Sequence, residues 1–272
     1  MSATATNSGK IKLRLHYWDC RGRAQAFRYM LEDIAYTNKN VDYKEDFEQI
    51  DGTPTTWPEH KADKTISGPF RTLPVLHWND EHIFGQTLTI GMLALRNNLV
   101  YFYSLNFVAH LVARKFNLYG KVTSSVADPV LLEAYLNGVA NCAYLDVIVG
   151  ACMCIWNTPD IENKTSAEYH QIAGVKDKLD GLNTLLKQSS TSFFYDQTEP
   201  TIADYFTFEA YLVARDIHSV FLPEDCQALV KLEQVMKERP ALAKYFQNNQ
   251  LMKRFTASPF EREYLEKISK IK

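Results

Sequence analysis

The chain holds only five cysteines (Cys20, Cys142, Cys152, Cys154 and Cys226), odd in number and irregular in spacing, with no pair of C-x-x-C motifs. That pattern offers neither a cysteine-rich zinc site nor the even framework of a disulfide-stapled secreted fold. There is no charge excess either: 30 Lys and Arg face 32 Asp and Glu, for a net charge of -2. Such a balance gives no electrostatic reason to expect nucleic acid or an anionic membrane as partner. No apolar run reaches the roughly 20 residues that a spanning helix needs. The most membrane-like stretch, 99–112, is interrupted by Ser104, Asn106 and His110. The opening MSATATNSGK lacks an apolar core and reads as a flexible leader, not a signal peptide. Internal repeats and low-complexity segments are absent, and a cytoplasmic location is the expectation.

What is present is an ordinary globular composition, 46% apolar and 23% charged, on a chain of 272 residues. That length suffices for one large domain or two ordinary ones. Residues 11–17 alternate, with Ile11, Leu13, Leu15 and Tyr17 against Lys12, Arg14 and His16, which predicts a strand. Ala24, Phe27, Leu31 and Ile34 then recur at helical spacing, with Arg28 and Glu32 expected to turn outward. A second strand is predicted near 38–43, followed by a loop rich in Pro, Gly and Thr over 51–69. Residues 73–78, an Asn79-Asp80 turn and 82–84 read as a hairpin, and a helix is expected after Gln86-Thr87. From Asp128 onward the periodicity is helical throughout, with Leu132, Tyr135, Val139 and Cys142 predicted on one face. Thr201 followed by Asp204, ahead of an apolar run, is a capping-box signature. Mixed strands and helices followed by helices alone predict an α+β first domain and a separate helical second domain.

The segment Tyr17-Trp18-Asp19-Cys20-Arg21-Gly22-Arg23-Ala24 resembles the strand-to-helix junction of the tyrosine-type cytosolic glutathione transferases, sigma-like above the pi, mu and alpha classes. Further matches follow in the family's order: Trp57-Pro58 with Lys61, Thr72-Leu73-Pro74-Val75-Leu76, Gln86-Thr87, Tyr119-Gly120-Lys121, and 201–205. The resemblance implies a thioredoxin-like glutathione-binding domain over 10–118, after a leader over 1–9, and an all-helical domain over 119–272. It implies glutathione as cosubstrate, no metal, a homodimer, and transfer of the glutathione sulfur to a small apolar electrophile. That electrophile would sit between the Tyr17–Cys20 loop and the long helix from Asp128, in a cleft largely apolar in lining.

A thiol has a pKa of about 8.5, whereas a phenol titrates near 10 and can stay protonated to donate a hydrogen bond to a thiolate. Tyr17, ending a strand before a helix, is therefore the expected catalytic residue. The resemblance implies a cis Leu73–Pro74 bond, with the Leu73 backbone pairing with the glutathione backbone. Gln86 and Thr87 would hold the γ-glutamyl carboxylate, Thr87 standing where the family usually has serine. Trp57 and Lys61 would reach the glycine end, with Arg21 assisting. Cys20, near the same helix start, is a rival nucleophile or, by its place, a residue lining the substrate pocket.

The sequence departs from the family at Asn141, where an acid that reaches the partner subunit's glutathione amine is usual. It departs again at 91–107, an apparent insertion, either a true lineage insertion or a segment that no mature protein carries. Two other functions stay open: a glutathione-dependent isomerase of the prostaglandin type, and a non-catalytic structural or ligand-binding relative.

Overall fold

A computed structural model describes residues 9–50, 56–68, 71–84, 105–157 and 166–270 of the chain. Residues 1–8 of the expected leader over 1–9, Gln86, Thr87, and residues 91–104 of the apparent insertion over 91–107 lie outside the described residues.

Four strands form one sheet: β1 (Ile11–Trp18), β2 (Val41–Glu48), β3 (Val75–Trp78) and β4 (His82–Phe84). Their order is β2-β1-β3-β4, with β1 parallel to β2 and antiparallel to β3. The alternation seen in 11–17 is realised in β1, where Leu13, Leu15 and Tyr17 are buried on one face. Helix α1 (Gln25–Thr37) makes the crossover from β1 to β2, and α2 (Trp57–Ala62) and α3 (Lys64–Ser67) lie in the stretch expected to be a loop. The β3–β4 turn is tight because Asn79 and Asp80 both adopt positive φ, 55° and 58°, the primed geometry that suits a two-residue hairpin. β2 runs five residues beyond its predicted end. As an edge strand with sequence VDYKEDFE it shows no apolar period to mark its extent.

Among the described residues, the helices after the sheet are α4 (Leu105–Lys115), α5 (Pro129–Asn141), α6 (Gly150–Asn157), α7 (Ser166–Gln188), α8 (Ile202–Ile217), α9 (Gln227–Glu238), α10 (Pro240–Gln247) and α11 (Glu261–Ile268). A π-helical segment, Cys142–Val149, joins α5 to α6 without a break. This continuous helix, Pro129–Trp156, is long and apolar enough to cross a membrane, and more than half of the window that meets this test is buried inside the fold, as in a core helix. Its buried face carries Leu132, Leu136, Val139, Ala140 and Ala143; Tyr135, expected on that face, is 46% exposed. The architecture is a thioredoxin-like domain followed by an all-helical domain.

Helix α8 is the centre of the helical half, with nearly every side chain from Ile202 to Ala214 buried. It contacts α1, α5, α9 and the π segment. Its start is the capping box expected from the sequence: the Asp204 carboxylate accepts from Thr201 N–H (2.7 Å), the Thr201 hydroxyl (2.7 Å) and Phe194 N–H (3.1 Å). Burial pushes the Asp204 carboxyl up to about 6, still low enough for it to be ionised at neutral pH and to accept all three bonds. Removing it orphans buried donors as well as the cap. Asp204→Ala is therefore expected to destabilise the protein by about 3 kcal/mol, read as a lowered midpoint in urea unfolding.

Arg28, expected to face solvent, is fully buried. Its guanidinium donates to Glu45 (2.5 Å) and to the carbonyls of Cys20 (2.6 Å) and Trp18 (3.0 Å), and lies 5.6 Å from the Tyr17 ring centre. The Cys20 carbonyl lies in the irregular turn between β1 and α1 and the Trp18 carbonyl at the last residue of β1, where the ladder ends. A long cation from the helix fills the need.

Candidate functional site

Tyr17 is 4% exposed, at the end of β1 on the face that meets the helices. Its hydroxyl oxygen accepts a hydrogen bond from Arg23 N–H at 3.1 Å. With that lone pair engaged, the O–H proton is left to donate to another group. Burial raises the Tyr17 pKa above its ordinary value, against the opposing pull of Arg23, so the phenol stays protonated. The turn that delivers the Arg23 amide depends on Gly22, at φ +40°, where a Cβ would stand 2.6 Å from the Tyr17 hydroxyl. Glycine both allows the backbone angle and leaves room for the phenol.

The same turn is fixed from two directions. Arg23 Nη2 donates to the Leu73 carbonyl at 2.8 Å, which ties it to the loop before β3, and the Leu73–Pro74 bond is cis. Arg21 N–H and Gly22 N–H donate to the carbonyls of Arg254 (2.8 Å) and Phe255 (2.7 Å). The C-terminal stretch thus packs behind the turn, braced by Glu261, which accepts from Phe255 N–H and Thr256 N–H.

Tyr17, Leu73 and Pro74 are therefore gathered around one turn. Trp57 and Lys61 sit on α2: Trp57 is half-buried, its ring edge-on to Trp18 (centroids 5.7 Å apart), and Lys61 is exposed. Gln86 and Thr87 lie outside the described residues. Arg21 is not available at the glycine end. It is 2% exposed and pairs with Glu209 through two bonds (2.9 and 3.2 Å) and with Asp216 (2.7 Å), both on α8. Its position in sequence, opening a helix, conceals that its partners come from the other domain.

Cys20 is fully buried, and burial pushes its thiol up to about 12. At neutral pH it is a thiol, which argues against its acting as nucleophile.

Arg23 and Tyr144 were not expected from the sequence. Tyr144, in the π segment, is fully buried, and its hydroxyl has no hydrogen-bond partner among the described residues. Burial holds its pKa well above the ordinary phenol value, with Arg23 and Tyr17 among the charges it feels. Tyr144 is thus a protonated phenol inside the fold, near enough to Arg23 and Tyr17 to feel their charges. Its signal in sequence was faint, one tyrosine in an apolar helix, where packing is the ordinary explanation.

Residues 146–249 match the family model described as Glutathione S-transferase, C-terminal domain. Among solved structures, the chain is similar to the Pi-class glutathione S-transferase of Onchocerca volvulus, at 19% identity over 88% of this chain and 93% of that one, with a TM-score of 0.60. It is similar also to the glutathione S-transferase of Ascaris lumbricoides (17% identity, 87% and 97% covered, TM-score 0.60). A third is the Nu-class enzyme of Haemonchus contortus (18%, 87% and 96%, 0.58). No curated protein sequence matches the chain.

Proposed function

We propose that the chain is a glutathione transferase that joins the glutathione sulfur to small electrophiles, with Tyr17 as the catalytic residue. The observation that carries this reading is the Tyr17 hydroxyl, buried, kept protonated, and oriented by the Arg23 amide on a fold shared with glutathione transferases. Its O–H donates to the glutathione sulfur and favours the thiolate over the thiol. A hydrogen bond to a charged acceptor is worth about 1.5–3 kcal/mol, or one to two units of thiol pKa. The thiolate attacks the electrophile, a carbon–sulfur bond forms, and the leaving group departs with its electron pair.

The cis-proline loop supports the tripeptide: Leu73 carries the backbone edge, and Arg23 fixes that loop to the Tyr17 turn. Trp57 and Lys61 on α2 stand for the glycine carboxylate, and Gln86 with Thr87 for the γ-glutamyl carboxylate. The reaction as written needs no metal and no resident cofactor. A cytoplasmic homodimer with a detoxifying role fits this chemistry.

Retention on immobilised glutathione and release by free glutathione test binding. Conjugation to an aromatic chloride, followed by absorbance, tests the reaction. A folded protein that neither binds glutathione nor forms the conjugate would rule out the proposal.

A further inference from the structure

On the opposite face of the sheet from Tyr17, three side chains converge from three elements: His16 of β1, Glu48 of β2 and His60 of α2. Successive strand residues point to opposite faces, so His16 turns away from the Tyr17 site and toward α2. The Glu48 carboxylate is fully buried, and its Oε1 meets both His16 Nε2 (2.8 Å) and His60 Nδ1 (2.5 Å). One ligating atom from each residue lies within 4.8 Å of the others. The second carboxylate oxygen accepts from the Thr56 hydroxyl at 2.8 Å.

We propose that His16, Glu48 and His60 form a binding site for a divalent transition-metal ion, zinc being the best fit, which fastens α2 to the sheet. Two imidazole nitrogens and one carboxylate oxygen are the three-ligand set in which zinc keeps a fourth position for water. A single carboxylate oxygen with two nitrogens is too poor in oxygen for calcium or magnesium, which require six or more oxygen ligands between protein and water. The buried ligands are His16 and Glu48, while the His60 side chain is 36% exposed and gives the ion a way in and the fourth ligand a way to solvent. Thr56 supplies the outer hydrogen bond that orients the ligating carboxylate. The ion binds one carboxylate and two neutral imidazoles: each ring turns the lone pair of its cluster-facing nitrogen to the metal and carries its single proton on the other nitrogen, so no proton is gained or lost at the rings and the charges are those of one carboxylate and one dication. The His16 ring also lies edge-on to Trp57, with centroids 6.4 Å apart, so an ion here sits beside a residue of the same helix that carries Lys61.

The site is tested on the untagged full-length chain, freed of metal by chelation, with no glutathione present, so the outcome is independent of catalytic function. Zinc is titrated by calorimetry and cobalt by absorbance. One equivalent of zinc is expected, together with visible cobalt bands and no thiolate-to-cobalt charge-transfer band. His60→Ala, at the exposed edge, should fold as the parent does by circular dichroism and bind zinc at least tenfold more weakly. Glu48→Gln should weaken binding similarly where it folds. Failure of the parent to bind an equivalent of zinc, parent-like affinity in His60→Ala, or a thiolate charge-transfer band for the bound cobalt would each overturn the assignment.

Discussion

Glu209→Ala is expected to cost about 3–5 kcal/mol of stability. The reason lies in what it leaves behind. Arg21 is 2% exposed and cannot reach water, and Glu209 holds it with two hydrogen bonds while Asp216, two turns further along α8, takes a third. Burial pushes the Glu209 carboxyl up and the Arg21 guanidinium pulls it down, whereas Arg21 itself is held more firmly charged by its acidic partners than a free guanidinium. Truncating the glutamate leaves a buried guanidinium, stacked 5.2 Å from the Phe255 ring, two bonds short and with the part-exposed Asp216 left to balance it. Removing both charges is a different experiment. Arg21→Met with Glu209→Leu removes the buried pair and leaves Asp216, which is part-exposed and also paired with Arg215 at 2.7 Å, and should recover most of the loss. Urea unfolding of the parent, the two single variants and the double variant measures this directly. If Glu209→Ala unfolds within about 1 kcal/mol of the parent, the pair does not anchor the domains.

The joint has a second part with the same logic. Asp33 on α1 accepts from the Tyr205 hydroxyl of α8 and from Arg239 Nε at 2.7 Å, just before α10. Gln25 at the start of α1 donates to the Tyr245 hydroxyl at 3.0 Å. Helix α1 is thus fastened to the helical domain at both ends by polar groups, with Tyr29 and Phe208 packed between them. Because the Tyr17 turn runs directly into α1, the position of the phenol is set by this joint as well as by its own strand.

Elements governed by local chemistry could be read from the sequence: the alternation of β1, the Asn79-Asp80 turn, and the Thr201–Asp204 capping box all depend on residues within a few positions of one another. Arginines were misread for the opposite reason. Arg28 finds Glu45 across 17 residues and Arg21 finds Glu209 across 188, and no local pattern distinguishes a guanidinium bound for such a partner from one in solvent. The same holds for His16, Glu48 and His60, spread over three elements with no motif spacing. The fold class was legible because contiguous segments carry it, and Tyr17 stood out as a candidate for the same reason, whereas the Arg23 amide on the Tyr17 hydroxyl appears only in the folded turn.

Tyr17→Phe is expected to lower the conjugation rate at least tenfold, about 1.4 kcal/mol of transition-state stabilisation, with the glutathione KM little changed. The hydroxyl is the only group removed, and the ring keeps its packing beneath Arg28. Loss of a donor to the thiolate raises the thiol pKa, so the rate of the variant should climb with pH to a midpoint about one to two units above the parent's. This profile separates an electrostatic role from a structural one, since a loosened site would lower the rate without moving the midpoint. Gly22→Ala provides the complementary test with the phenol still present. Its Cβ would stand 2.6 Å from the hydroxyl and its backbone is held at φ +40°, so either the phenol or the turn must move. The rate should fall here too, and Gly22→Ala combined with Tyr17→Phe should lose little more than the worse single change, because both act through one hydroxyl. An unchanged rate in Tyr17→Phe would not restore Cys20, whose thiol is pushed up to about 12 by burial. It would place activation of the sulfur on another donor at the same turn, the Arg23 side chain.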